Sequence, residues 1–148
     1  VKSIDAEIYV ACKSSIRMMN TDLSVVKCFN LPVCPSGIAI SEEDKICVCF
    51  GFNGRICMYS KEGKLYLELH EDSCQGMPKQ PFKTVFAFQE IYVTDLRGNE
   101  DVIVISLEGV IRKKFKQGNM DPRGLAISRQ GYVFVTDSRN NCIKIFNK

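Results

Sequence analysis

With 148 residues, 45% of them hydrophobic, and a net charge of +3, the chain has room for one compact domain with a real core. No run approaches the ~18 consecutive apolar residues that a membrane-spanning helix needs. A single histidine, His70, leaves charge-relay chemistry and multi-histidine metal sites almost nothing to work with, so neither a catalytic centre nor a metal or cofactor is expected.

The chain opens Val1-Lys2-Ser3-Ile4-Asp5, without the basic start and apolar run of a signal peptide. It also opens without methionine, which hints at a segment removed upstream. Strands are predicted over 7–12, 16–19 and 24–29, then over 37–41, 45–50, 56–59 and 64–69. The longest break in the pattern follows, residues 71–83, with Met77, Pro78 and Phe82. A loop of about 12 residues is often functional; this one reads equally as an apolar anchor for a protein partner and as a tolerated insertion. Strands resume over 84–88, 90–95, 102–105 and 110–115, and again over 124–128, 132–137 and 143–146.

These segments are one theme repeated. Ile8, Ile46, Ile91 and Val133 lead equivalent strands and lie 38, 45 and 42 residues apart. That period fits a four-stranded β-propeller blade of ~40–50 residues. Blades are expected at approximately 1–31, 32–78, 79–118 and 119–148. The strands nearest the axis use Gly, Ala and β-branched residues, which suit crowding, while the outermost alternate apolar with charged residues. Turns carry glycine at Gly63, Gly109 and Gly131, where φ is expected to be positive. No apolar period of 3.6 persists for three turns, so the class is all-β with almost no helix.

Eight cysteines would imply disulfides in a short secreted protein. Cys12, Cys47, Cys49, Cys57 and Cys142 instead fall inside or beside apolar runs, where a thiol acts as a small hydrophobe. No paired C-x-x-C knuckle for zinc occurs, and Cys28 and Cys34, which flank a loop and could pair, are expected to stay reduced. This usage fits a reduced, cytoplasmic protein better than a secreted one.

Residues 121–146 resemble an NHL repeat: Pro122 and Gly124 before one strand, a turn glycine at Gly131, the strand Tyr132-Val133-Phe134-Val135-Thr136-Asp137, then Asn140, Asn141 and a last apolar strand. The third blade keeps Tyr92-Val93-Thr94-Asp95 and Asn99 but lacks the leading proline-glycine. The second keeps Pro35-Ser36-Gly37 and has Phe50 in place of Asp; the first has Cys12 there. NHL propellers commonly form the C-terminal part of larger proteins, including tripartite-motif ubiquitin ligases, and act there as substrate- or RNA-recognition domains. The resemblance therefore implies a non-catalytic recognition module. The fold also hosts an amidating lyase, so a metal-assisted lyase or hydrolase stands as the alternative.

The last blade is expected to lack its outer strand. A six-bladed ring would need ~250 residues, so the chain reads as part of a larger propeller, a four-bladed ring, or half of a ring completed by a second copy. An open edge strand seeks a partner, which makes self-association an expectation.

One face of a propeller is built from the loops joining second to third strands and outer strands to the next blade. Lys13, Arg55, Lys79, Lys83, Arg97, Lys116, Arg123 and Arg139 are assigned to it. Arg97 and Arg139 stand at equivalent places, two residues after Asp95 and Asp137, as a phosphate backbone would use them. The plain alternative is that they pair with nearby acids such as Glu100 or Asp101, and Glu71, Asp72 and Asp121 dilute the charge of this face. The opposite face, with Glu42, Glu43, Asp44, Glu62, Glu90 and Glu108, is more acidic. The expected partner is single-stranded or hairpin RNA, or a protein, with no membrane. Asp95 and Asp137 recur in register, so they read as strand-end carboxylates bound to the next turn rather than as catalysts. His70 falls at the exposed end of an outer strand with no nucleophile beside it.

Overall fold

The structure, a computed structural model, describes residues 7–70, 72, 75–98 and 100–148. Residues 1–6, Glu71, Ser73, Cys74 and Asn99 lie outside the described residues. Fourteen strands form four antiparallel sheets and, among the described residues, no helix occurs. The first sheet holds β1 (Ile8–Cys12), β2 (Ser15–Met19) and β3 (Val25–Asn30). The second holds β4 (Gly37–Ile40), β5 (Ile46–Phe50), β6 (Arg55–Tyr59) and β7 (Leu65–Leu69). The third holds β8 (Pro81–Ala87), β9 (Glu90–Asp95), β10 (Val102–Ser106) and β11 (Ile111–Phe115). The fourth holds β12 (Pro122–Ile127), β13 (Val133–Asp137) and β14 (Cys142–Phe146). Strands within each sheet pair in sequence order, as blades of a propeller do, and β8 lies between β4 and β12 on the inner side. The fourth blade has no outer strand among the described residues, as the sequence predicts.

Period-2 alternation decides how the blades stack. In β5, Cys47 and Cys49 face the third blade while Ile46, Val48 and Phe50 face the first; all five are buried. Three separate cores result. Tyr9, Ile16, Met18 and Leu31 pack on Ile46, Val48, Phe50 and Tyr59. Ala39, Cys47, Cys49, Ile56 and Met58 pack on Ile91, Val93, Ile103 and Ile105. Tyr92, Val102, Val104 and Phe115 pack on Val133 and Val135. Of the cysteines read as small hydrophobes, Cys47, Cys49 and Cys57 are buried, Cys12 is half-buried, and Cys142, at the start of β14, is exposed.

The register corrects one sequence reading. Pro81 pairs with Asp95 as Pro122 pairs with Asp137, each followed by a bulge. The third blade therefore keeps its leading proline, and Lys83 stands where Gly37 and Gly124 stand. Pairing shows this and spacing hides it, because Phe82-Lys83 carries no glycine to mark the motif. The amides of Lys83 and Gly124 both donate to a threonine hydroxyl, Thr94 at 3.0 Å and Thr136 at 2.6 Å. Gly37 is required for a different reason: a Cβ there would sit 2.5 Å from the Phe82 carbonyl oxygen.

Turns at the acidic face share a device. The amide of the first residue donates to the carbonyl of the fifth in Ser41 to Lys45, Ser60 to Lys64, Ser106 to Val110 and Ser128 to Tyr132, at 2.8–2.9 Å. The serine hydroxyl accepts from the amide of that fifth residue, a local side-chain cap. The fourth residue takes positive φ: Asp44, Gly63, Gly109 and Gly131. The β8–β9 turn departs from this, with Phe88 and Gln89 at φ 53° and 58°. Two successive left-handed residues match the strand twist of a tight hairpin, at a cost of about 1–3 kcal/mol for each non-glycine.

Candidate functional site

Alternation of the strands brings the β1–β2, β5–β6, β9–β10 and β13–β14 turns to one end of the blades, together with the connections between blades. Lys13 lies in the β1–β2 turn, Arg55 begins β6, and Lys79 precedes β8. Lys83 and Arg123 are near the starts of β8 and β12. Arg97 and Arg139 occupy the turns after β9 and β13. All seven are exposed at this end.

Their electrostatic states differ. Arg139 donates twice to Glu100, at 2.9 and 2.7 Å. Arg123 donates from Nε to Asp121 at 3.1 Å, and Arg55 pairs with Glu68 at 3.0 Å. Among the described residues Arg97 has no side-chain partner, although it stands where Arg139 stands; the long pairing route was available to one repeat only. Lys83 lies 5.8 Å from the Phe82 ring centroid, which Arg123 approaches at the same distance. The charged end is therefore a set of closed ion pairs with Lys13, Lys83 and Arg97 outside them, not an unbroken cationic stripe.

The strand-end carboxylates bind the turns as expected. Asp137 accepts from the amides of Asp121 at 3.0 Å and Asn140 at 3.4 Å, from the Asn140 side-chain amide at 2.7 Å, and from Lys144 at 3.2 Å. Burial alone would raise its pKa; these donors outweigh it and hold the carboxyl well below the usual carboxylate range. Asp95 accepts from the amides of Gln80 at 2.8 Å and Arg97 at 3.3 Å through one oxygen, and among the described residues its other oxygen has no partner. Gly98 occupies the place of Asn140 and brings no side-chain amide to that position. Opposite Asp95, the Asp101 carboxyl is pushed up by burial and by Asp95, against the pull of Lys114. None of the three is aimed at open solvent: Asp95, Asp101 and Asp137 are all buried. Among the described residues no group of three metal-ligating side chains forms.

The feature that sequence reading missed is Phe52. It sits in the β5–β6 turn with 95% of its surface exposed. The signal was present: Gly51-Phe52-Asn53-Gly54 places an aromatic between two glycines, where no strand can bury it. Gly51 and Gly54 are both pressed by the connection to β8, a Cβ at Gly54 lying 3.2 Å from the Lys79 carbonyl oxygen. The turn is thereby pinned with its ring outward. Beside it lies a cavity of about 370 Å³ lined by Asn53, Arg55, His70, Asp72, Pro78 and Lys79. His70 is half-exposed there, with Nδ1 3.7 Å from Asp72. The 71–83 connection thus contributes to the lining through Asp72, Pro78 and Lys79, whereas Met77 is buried in the second core and Phe82 is half-buried.

Sheets stacked in this order define a β-propeller. The chain is an all-β propeller, and residues 119–146, its last blade, match the NHL repeat family. Comparison with curated protein sequences returned no match. Among solved structures it is similar to virginiamycin B lyase from Staphylococcus aureus, at TM-score 0.75 and 16% identity over 100% of this chain and 54% of that one. It is also similar to hydrazine synthase from Kuenenia stuttgartiensis, at TM-score 0.74 and 13% identity over 99% of this chain and 48% of that one. BBS1N, solved in complex with ARL6DN, matches at TM-score 0.74 and 18% identity over 100% of this chain and 49% of that one. This chain spans about half the length of each. Such likeness shows the fold, which serves a lyase in one case and is found with a protein partner in another.

Proposed function

We propose that this propeller is a protein-recognition module whose working surface is the loop end around Phe52. The observation that carries the reading is the 95% exposure of Phe52 on a turn held by two glycines, beside a polar cavity. A rigid aromatic that loses little conformational entropy is the usual anchor of a protein interface, and arginines at its rim supply orientation. Pairing of Arg55, Arg123 and Arg139 with carboxylates at the same end argues against a polyanion as the main ligand, since each phosphate contact would first have to break an ion pair. A partner bearing an apolar pocket with a carboxylate beside it fits Phe52, Arg97 and the cavity together. If the chain serves a tripartite-motif ligase, that partner is the ligase substrate.

The test uses Phe52→Ser, a substitution at a side chain that contributes nothing to the core. Proteins captured by the wild-type chain and lost with Phe52→Ser are purified and titrated individually, with Arg97→Glu as a second probe. Saturable binding that falls at least tenfold with Phe52→Ser supports the reading. Binding to single-stranded RNA that is steeply salt-dependent, abolished by Arg97→Glu and untouched by Phe52→Ser, would overturn it.

A further inference from the structure

The end of the blades opposite Phe52 carries a small cleft between the second and third sheets. It encloses about 90 Å³. Its apolar walls are Ile40 from β4, Phe86 from β8, Phe88 from the β8–β9 turn and Leu107 from the β10–β11 turn. Glu42 and Glu43, exposed in the β4–β5 turn, line it as well. Each of the two sheets also packs on a described neighbour along its other face, so both walls are held from behind.

Local chemistry fixes both sides. The Ser41 hydroxyl accepts from the amides of Glu43 at 3.2 Å and Lys45 at 3.0 Å, which sets the turn that carries Glu42. Across from it, the two-residue β8–β9 turn holds Phe88 and Gln89 at positive φ, where asparagine and glycine are the favoured occupants. Phenylalanine is kept there against backbone preference, with 45% of its surface exposed. The ring already holds one ammonium. Lys148 Nζ lies 4.0 Å from its centroid, inside the about 6 Å reach of a cation–π contact, and 3.8 Å from Glu90. Lys148 comes from beside Gly131 of the fourth blade, whereas the cleft opens toward β4 of the second. Charge within the cleft is only partly answered: Glu43 pairs with Lys45 at 2.6 Å, and Glu42 has no partner among the described residues.

We propose that this cleft receives a lysine or arginine side chain from a basic segment of a partner protein, with its methylenes against Phe86, Phe88 and Leu107 and its cationic head at Glu42. An apolar slot with a carboxylate at its mouth matches a side chain that has an apolar stem and a charged tip. The ring edge and face of Phe88 add to the attraction, as they do for Lys148. An acidic segment is repelled by Glu42, and a neutral apolar side chain leaves that carboxylate unanswered. The site lies at the other end of the blades from Phe52 and is independent of the surface proposed there.

Titration of the isotope-labelled chain with three capped tripeptides, carrying lysine, arginine or norleucine between two glycines, tests this by amide chemical shifts. The lysine and arginine probes should shift Glu42, Gln89 and Leu107 saturably in the millimolar range, and norleucine should bind about fivefold more weakly. Glu42→Gln should weaken the lysine probe about threefold. Phe88→Asn should weaken it about fivefold while keeping or raising the melting temperature, because asparagine is at ease at positive φ. Glu62→Gln lies on the same face in the turn that packs on Phe29 of the first blade, and should leave the affinity unchanged. Equal affinity for the lysine and norleucine probes overturns the proposal. A loss with Glu62→Gln as large as with Glu42→Gln also overturns it and assigns the effect to diffuse charge. Shifts confined to Asn53 and Gly54, or no saturable shift at any amide, overturn it too.

Discussion

Arg139 and Glu100 form a bidentate ion pair across the third and fourth blades, with both guanidinium N–H groups at 2.9 and 2.7 Å from the two carboxylate oxygens. The guanidinium that looks free in sequence is therefore occupied, and its contribution to a polyanion is withheld. Replacing Glu100 with Gln should release it. On a heparin column at low salt, Glu100→Gln is expected to elute later than wild type and Arg97→Glu earlier, while Arg139→Ala elutes close to wild type. Equal shifts for Arg97→Glu and Arg139→Glu would show that the pair opens freely in solution.

Asp137 and Asp101 are both buried carboxylates in blade turns, yet they should respond oppositely to removal of charge. Asp137→Ala strands the Asp121 and Asn140 donors and the Lys144 ammonium, and is expected to cost about 2–3 kcal/mol in urea unfolding. Asp101→Asn relieves repulsion with Asp95 at the cost of a 3.9 Å contact with Lys114, so its midpoint should stay level or rise. A drop as large as that of Asp137→Ala would mean that the Lys114 contact outweighs the burial.

The same two groups give stability opposite slopes with pH. Asp137 titrates lower in the fold than unfolded, so its contribution is complete above its usual value of 3.8 and is lost as pH falls through the folded pKa. Asp101 titrates higher in the fold than its usual 3.8, so it subtracts stability as pH rises from that value through the folded pKa. Melting temperatures from pH 3 to 7 should therefore climb more from acid to neutral in Asp101→Asn than in wild type. In Asp137→Ala the acid-side loss should shrink.

Gly37→Ala should be among the most damaging single-methyl additions in the chain. Its Cβ would meet a backbone oxygen at 2.5 Å, and the β4–β8 contact leaves neither strand free to retreat. A loss of about 1–3 kcal/mol is expected from thermal unfolding. At Gly118, where nothing lies within 4 Å, the φ of 64° is the only obstacle, and Gly118→Asn should be nearly neutral.

The blades were legible because period-2 patterning and a recurring turn chemistry act locally, so each strand announces itself. The register of Pro81 was not, because it depends on a strand partner 14 residues away, Asp95, with a bulge between. Ion pairing divided Arg139 from Arg97 for a similar reason. The two sit at the same repeat position, and only the reach to Glu100 on the neighbouring blade distinguishes them. Phe52 was hard to read because an exposed aromatic in a turn carries no periodicity to mark it. The serine turns were visible as Ser60-Lys61-Glu62-Gly63, Ser106-Leu107-Glu108-Gly109 and Ser128-Arg129-Gln130-Gly131, but only the glycines drew weight.

Three cores that each join two neighbouring blades also set how the molecule comes apart. Among the described residues no single nucleus spans the four sheets, so each sheet is held by the sheets beside it, and the second and third are held from both sides. Opening then begins at the outer sheets and moves inward like a zip with two sliders. Amide protons of β5, β6, β9 and β10 exchange last, and anything that caps either outer sheet slows the whole sequence.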